Sequence, residues 1–321
     1  LSTTGCISCG QCVSVCPTGA LGERLSLQKS VPLETECTDT TCSFCSLGCS
    51  MHLETGGGML IKAVPDREGP VNKGLLCARG RFGFDCPELE ERLNAPLVKH
   101  GNVLEQTDYH EAAVRTAKGL QAVAARHGKD AVAVSISARM TNEEAFAMKQ
   151  LADAIGARTL CFDHRENGLK RVLGFDASPN TIDELLSTDV ILAVGFTAAK
   201  SVMRVKLMQA AKNGAKIVLI NPEGAEQELA FLHKAVYVKN DLSFLKELAR
   251  ALLDLGKTSS AQGFDAFAES LSGVTPGEQA REVAALYAGA KKAMILCQQN
   301  PLTADAAALL AEIAALSGHL N

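Results

Sequence analysis

The pattern of hydrophobic and polar positions changes its period at about residue 100. Before that point the apolar segments are short, and residues 51–55 and 59–64 flank Gly56, Gly57 and Gly58. Two short strand-like segments around such a turn predict a β-hairpin. After residue 108, apolar runs of strand length alternate with longer segments in which apolar residues recur every three to four positions. The pattern therefore predicts a small β-rich part followed by an α/β part.

The α/β part shows a regular order of elements. Strands are predicted at 131–137, 158–162, 189–194, 216–220, 236–238 and 293–297, and helices at 108–126, 141–155, 201–213, 241–255 and 303–316. Thr141 and Glu144 form a capping box that marks one helix start. The uninterrupted apolar run at 189–194 is typical of a strand covered on both faces. We therefore predict the α/β fold class, with a parallel sheet covered by helices on both sides.

Composition excludes several classes of protein. The chain of 321 residues is 47% apolar and has a net charge of −4, with a pI near 6.0. This balance gives no indication of binding to nucleic acid or to an anionic membrane surface. No apolar run approaches the ~20 residues of a membrane-spanning helix. We expect a soluble, cytoplasmic protein that is one segment of a longer polypeptide, because the sequence lacks an initiator methionine.

The cysteines are concentrated at the start of the chain. Ten of the twelve precede residue 90: Cys6, Cys9, Cys12, Cys16, Cys37, Cys42, Cys45, Cys49, Cys77 and Cys86. Disulfides are one interpretation. However, no secretory leader is evident, and clustered C-x-x-C spacings in a reducing compartment favour metal binding.

The first cysteine group is Cys6-x2-Cys9-x2-Cys12-x3-Cys16, followed by Pro17. A [4Fe–4S] cluster needs four thiolates, and closely spaced cysteines on a tight turn supply three of them. In runs of this form the cysteine before the proline ligates a neighbouring cluster. Zinc is the alternative, although zinc sites more often pair two C-x2-C turns across a longer gap.

The second group is Cys42-x2-Cys45-x3-Cys49, with Cys77 beyond the predicted hairpin. Four cysteines at these spacings are enough for a complete [4Fe–4S] site within this chain. We expect two or three such clusters to contact the chain.

The first group, CISCGQCVSVCPTGAL, closely resembles one half of a two-cluster bacterial ferredoxin. The resemblance implies that Cys16 serves a cluster whose other ligands lie upstream of Leu1. The cluster of Cys6, Cys9 and Cys12 would then draw its fourth ligand from the same upstream segment. Cys37 is the alternative fourth ligand.

The segments TTCSFCSLGC, GPVNKGLLCARGRFGFD and RLNAPL resemble the N-terminal part of the molybdopterin oxidoreductase superfamily. Their order is similar to that in the large subunits of NAD-dependent formate dehydrogenases and in the large iron–sulfur subunit of respiratory complex I. The resemblance implies a ferredoxin-like segment at 1–35, a cluster domain at 36–98 and an α/β domain at 99–321. Arg79 stands where related formate dehydrogenases carry a lysine near the cluster, and a surface cation is the alternative. Cys86 is expected to be a packed thiol.

The superfamily's pterin-binding loops are altered in this sequence. The loops after the predicted strands read Phe196-Thr197-Ala198-Ala199, Asn221-Pro222-Glu223 and Cys297-Gln298-Gln299-Asn300-Pro301. The second of these places an anion where the family has a cation. We therefore expect no bound molybdopterin. Cys161 is the candidate for the family's metal ligand, with a buried apolar role preferred, and His164 is interpreted as a loop histidine.

We therefore expect an iron–sulfur electron-transfer subunit of a multisubunit oxidoreductase. Its partners would be flavin- or NAD(P)H-binding subunits and other iron–sulfur subunits, as the resemblance implies. The alternative function is the N-terminal part of a molybdenum- or tungsten-dependent formate dehydrogenase. A structural zinc protein is the third interpretation.

Overall fold

The computed structural model describes residues 6–22, 34–83, 93–137, 140–161, 168–175, 177–197, 201–226, 229–298 and 302–320. The chain folds as two compact units. One comprises Leu1–Phe84 together with Glu166–Asn321, and the other comprises Asp85–Arg165. The predicted domain boundaries at residues 35 and 98 stay a prediction.

The strands are β1 (Glu36–Thr41), β2 (Ser50–Gly56), β3 (Met59–Pro65), β4 (Leu97–His100), β5 (Val103–Gln106), β6 (Ala133–Ile136), β7 (Arg158–Cys161), β8 (Val190–Val194), β9 (Lys216–Pro222), β10 (Lys234–Val238) and β11 (Ala293–Cys297). The helices are α1 (Gln11–Ser14), α2 (Ala78–Phe82), α3 (Tyr109–His127), α4 (Asn142–Ile155), α5 (Leu169–Leu173), α6 (Val202–Lys212), α7 (Asp241–Asp254), α8 (Phe264–Ser270), α9 (Glu278–Ala288) and α10 (Ala304–Ser317). Within the described residues, no helix has both the length and the apolar character needed to cross a membrane.

The first unit begins with a three-stranded antiparallel sheet in the order β1-β2-β3. The predicted hairpin is confirmed, since β2 and β3 pair on either side of Gly57 and Gly58. Sequence analysis did not predict β1, because its residues are polar and mostly exposed and so show no apolar alternation. Pairing with β2 supplies the hydrogen bonds that make this segment a strand, with Asp39 opposite His52.

The core of the first unit is a parallel sheet in the order β10-β9-β8-β11. All residues of β8 are buried, as the apolar run predicts. Alternate side chains enter different cores, because successive strand residues point to opposite faces. Leu192 packs with residues of α7, α9 and α10, whereas Ile191 packs with residues of α6. Helical cover on both faces is therefore confirmed for this sheet.

The second unit contains the antiparallel pair β4-β5, the parallel pair β6-β7 and helices α3 and α4. The predicted capping box is present, with Thr141 and Glu144 each accepting from the other's backbone N–H. In the described residues β6 and β7 pair only with each other, so the parallel strands form two sheets rather than the single sheet predicted. These strands are only four residues long, and exposed residues alternate with less exposed ones along β6, whereas every residue of β8 is buried.

An ion-pair network joins the turn before Cys77 to the α/β part of the first unit. Lys206 of α6 is buried and donates to Asp183 at 2.8 Å. Lys73 approaches the other oxygen of the same carboxylate at 3.7 Å. The hydrogen bond from Lys206 is the main cause that lowers the pKa of Asp183. Asp183 therefore stays ionised and connects two cations from distant parts of the chain.

Replacing Asp183 by Asn should destabilise the protein by about 1–3 kcal/mol, because Lys206 would keep a buried charge without its carboxylate. The figure lies below that for a fully buried pair because the Asp183 side chain is 41% exposed. Urea unfolding followed by circular dichroism measures the change. Asp153→Asn, which breaks an exposed pair with Lys149, is the control and should change stability by less than about 0.5 kcal/mol.

The pH dependence has a defined sign. Because the folded-state pKa of Asp183 is lowered, its contribution is complete above the ordinary value of 3.8 and is lost as pH falls through the folded-state value. The stability difference between the wild type and Asp183→Asn should therefore narrow as the pH falls below the ordinary value. A difference that stays constant with pH would contradict this assignment.

Candidate metal centres

The second cysteine group lies mainly in the loop between β1 and β2. Cys42 directly follows β1, and Cys49 directly precedes β2. The N–H of Cys42 donates to the carbonyl of Cys49 at 2.8 Å and closes the loop at its base. Cys45 is exposed within the loop. Pairing of the two strands thus holds three of the four predicted ligands in one short turn.

Cys77 is brought to this loop by a turn that Asn72 stabilises. The Asn72 side chain is fully buried, and its Oδ1 accepts from the N–H of Ser50 at 2.9 Å. Its Nδ2 donates to the carbonyls of Ser50 and Leu75 at 3.0 and 2.8 Å. Because Ser50 follows Cys49 and Leu75 nearly adjoins Cys77, one side-chain amide joins the two ends of the cysteine group.

The four thiols are close enough for their charges to affect one another. Burial is the main cause that raises the pKa values of Cys42 and Cys49. The pKa of Cys49 rises to about 12. The thiolates of Cys45 and Cys77 raise both pKa values further. Apolar side chains surround the two buried sulfurs, among them Leu76. Positive charge must therefore be present if all four sulfurs are to be ionised together, and metal ligation supplies it.

The spacing of the sulfurs favours a cluster over a single ion. Zinc bound to four thiolates at ~2.3 Å holds the sulfurs within about 4 Å of one another. Among the residues that the structure describes, no three of the sulfurs of Cys42, Cys45, Cys49 and Cys77 lie within 4.8 Å of one another. Gly80 of α2 lies close to the site, since a Cβ there would be 3.4 Å from the sulfur of Cys42. A larger side chain at this position would therefore contact the sulfur of Cys42.

The first cysteine group lies around the short helix α1. The N–H of Ser8 donates to the sulfur of Cys6 at 3.3 Å. Hydrogen bonds from the backbone of Leu21 and from Thr18 lower the pKa of Cys16 to about 7. The hydrogen bonds to Cys16 favour its thiolate, which is the form that ligates metal.

Arg81 joins the two cysteine groups. It lies one helical turn after Cys77, its side chain is 6% exposed, and it donates to the hydroxyl of Ser14 in α1 at 2.6 Å. Gly10 allows this contact, because a Cβ at that position would come within 2.6 Å of the Arg81 side chain. Gln11 also donates from its side chain to the carbonyl of Gly74. The ferredoxin-like segment is therefore packed directly against the second cysteine group.

Sequence analysis singled out Arg79 and missed Arg81 and Asn72. Arg79 is exposed on α2, and its proximity to a cluster stays a prediction. The spacing of Arg81 four residues after Cys77 was the available signal, because residues four apart lie on one helix face. Asn72 had no comparable signal, since its role depends on a strand far away in the sequence.

At the carboxyl ends of the parallel strands, side chains are hydrogen-bonded to backbone N–H groups. Thr197 donates from its N–H and hydroxyl to Oε1 of Gln298 at 3.2 and 3.1 Å, which joins the segments after β8 and β11. The N–H of Gly224 donates to the carboxylate of Glu226 at 3.0 Å and lowers its pKa. The buried Oδ1 of Asn221 is an acceptor. Phosphates are bound by free N–H groups and cations, whereas the N–H groups of Thr197 and Gly224 already donate to side chains.

Several predicted residues lie outside the described part of the chain. Cys86 and His164 are among them. Cys161 is the last residue of β7, and its side chain also lies outside the described part. Its role stays a prediction.

Comparison with protein families gives three matches. The molybdopterin oxidoreductase Fe4S4 domain matches residues 35–86, the molybdopterin oxidoreductase domain matches residues 92–321, and the 4Fe-4S binding domain matches residues 2–22. The first and third of these contain the second and first cysteine groups.

Curated relatives agree with these matches. The chain is 30% identical to the NADPH-Fe(3+) oxidoreductase subunit alpha of Geobacter sulfurreducens, over 78% of this chain and 30% of the relative. It is 28% identical to formate dehydrogenase H of Escherichia coli, over 80% of this chain and 40% of that relative. A probable oxidoreductase of Bacillus subtilis is 26% identical, over 86% and 34%. The chain therefore spans about a third of the length of these relatives. Because one family match alone extends over residues 92–321, the chain belongs to the molybdopterin oxidoreductase family and carries 4Fe–4S domains at its N-terminal end.

Proposed function

We propose that this chain is an iron–sulfur electron-transfer subunit of a multisubunit oxidoreductase. The observation that carries the proposal is the contact of Arg81 with Ser14, which packs the two cysteine groups against each other. Clusters bound at these groups would be neighbours in one compact unit, as electron transfer between them requires. The chain would contact two or three [4Fe–4S] clusters.

We assign the ligands of the complete cluster to Cys42, Cys45, Cys49 and Cys77. Cys6, Cys9 and Cys12 supply three ligands of another cluster, and Cys16 serves a neighbouring one, in keeping with the spacing of this run. Electrons would pass between these clusters without a substrate site in the chain itself.

Arg81 has an electrostatic role in this proposal. A buried guanidinium between two clusters favours their reduced, more negative states, because its charge is only weakly screened there. Arg79 is exposed and so would have a smaller effect through the same mechanism.

The proposed partners are flavin- or NAD(P)H-binding subunits and further iron–sulfur subunits. The relative from Geobacter sulfurreducens is by name the alpha subunit of an NADPH-Fe(3+) oxidoreductase. Ferredoxin-linked and electron-bifurcating complexes are further settings for such a chain. We place the complex in the cytoplasm, where exposed thiols such as Cys12 and Cys45 stay reduced.

We further propose that the α/β part holds no molybdopterin and acts as a scaffold. The support is the poor fit of the strand ends: the N–H of Gly224 already binds the carboxylate of Glu226, and Glu223 adds an exposed anion nearby. Formate oxidation in a longer protein is the second candidate function, favoured by the similarity to formate dehydrogenase H.

Cys45→Ala should remove about four irons per chain and one reduced-cluster EPR signal, because a [4Fe–4S] cluster that lacks one of its four thiolate ligands is not retained. Iron analysis and EPR of the anaerobically purified protein measure both. Cys297→Ala, at the end of β11 in the scaffold, is the matched control and should keep its iron. Unchanged iron in Cys45→Ala would refute the ligand assignment.

Cys12→Ala should abolish a different EPR signal while the signal of the complete cluster remains, because the two sites have separate ligands.

The same measurements test which residue is the fourth ligand of the N-terminal cluster. Iron content should be unchanged in Cys37→Ala; a loss of iron there would identify Cys37 as the ligand that closes the N-terminal cluster.

Molybdenum, tungsten and pterin should be absent from this subunit of the native complex. Metal analysis and the fluorescence of released, oxidised pterin measure them. Stoichiometric pterin with either metal, assigned to this subunit, would replace the scaffold proposal with the formate dehydrogenase alternative and make Cys161 the first candidate ligand.

A further inference from the structure

A second kind of metal-binding arrangement lies on the three-stranded sheet, outside both cysteine groups. Cys37 and Asp39 are two residues apart on β1, so they lie on the same face, and Asp39 pairs directly with His52 of β2. The sulfur, the carboxylate and a ring nitrogen of these residues all lie within 4.8 Å of one another. In the described residues this is the one group of three or more such ligands that meets that distance.

A carboxylate faces each ring nitrogen of His52, and the one from Asp39 is at hydrogen-bonding distance. Its Nδ1 lies 2.7 Å from a carboxylate oxygen of Asp39, and its Nε2 lies 3.8 Å from Oδ1 of Asp66. The same Asp66 oxygen accepts from the N–H of Glu68 at 2.9 Å, which orients the carboxylate. When a histidine ligates a metal through one ring nitrogen, its other ring nitrogen commonly faces a carboxylate.

An ordinary ion pair between Asp39 and His52 does not account for Cys37. Its thiol is free of any disulfide, and it completes a set of one sulfur, one nitrogen and one oxygen. Zinc accepts this mixture of ligands, whereas calcium and magnesium prefer oxygen alone. An ionised Cys37 and Asp39 would also supply two negative charges, which match a divalent cation.

We propose that Cys37, Asp39 and His52 bind one zinc ion, with Asp66 as the carboxylate that orients the His52 ring. Three protein ligands leave the fourth tetrahedral position for water, since Cys37 and Asp39 are exposed. The ion joins β1 to β2. These two strands lead directly into Cys42 and out of Cys49, so the zinc would strengthen the base of the loop that carries the cluster ligands.

The test uses the full chain, purified anaerobically with its clusters and loaded with zinc in competition with a chelator. Zinc retention and Zn K-edge X-ray absorption, which does not detect iron, report the site. We expect about one zinc with one sulfur at ~2.3 Å and the remaining ligands nitrogen or oxygen. Cys37→Ala and His52→Gln should each weaken binding at least about tenfold, and Asp66→Asn by about 10–100-fold.

His233→Gln and Cys297→Ala replace a histidine and a cysteine elsewhere in the same unit and should leave zinc affinity unchanged. Zinc bound by four sulfurs would mean that it occupies a cluster site, which overturns the proposal. Equal affinity in the wild type, Cys37→Ala and His52→Gln would overturn it as well. Iron content separates this test from the electron-transfer proposal, because loss of zinc from these variants should leave the iron and its EPR signals intact.

Discussion

Four thiols gathered in a partly buried pocket cannot all be ionised unless positive charge is brought to them. Burial and mutual repulsion raise the pKa values of Cys42 and Cys49, so the metal-free site favours neutral thiols. Ligation would reverse this preference, because thiolate bonds to iron would replace the lost hydration. Folding of this region would therefore be coupled to metal binding. The turns, the buried amide of Asn72 and the close approach of Gly80 all serve to bring these four sulfurs together.

The contact between the two cysteine groups depends on Arg81. Arg81 is buried between them, and a buried guanidinium requires partners that satisfy its donors. Ser14 supplies one partner, and Gly10 provides the space. The same residue thus positions the ferredoxin-like segment and places a positive charge where bound clusters would carry negative charge. Structure and redox properties would depend here on one side chain.

The α/β part matches the molybdopterin oxidoreductase domain and contains a packed parallel sheet. Buried strands such as β8 preserve the sheet, because alternate residues fill cores on both faces. The loops are free of that packing constraint, since they lie at the sheet edge. Gln298 and Glu226 use the backbone N–H groups of Thr197 and Gly224 there. Packing of the sheet and hydrogen bonding at its strand ends therefore depend on different residues.

The sequence by itself determined the elements with strong periodicity and the cysteine pattern. The hairpin at Gly57, the capping box at Thr141 and the buried strand β8 all depend on neighbouring residues, and the structure confirms them. Spacing also identified the two cysteine groups, because ligands on one turn are close in sequence. Tertiary structure alone decided the rest. The polar strand β1 exists because β2 pairs with it, and the roles of Asn72 and Arg81 depend on residues more than 20 positions away. No local pattern encodes such contacts, since they form only when distant segments pack together.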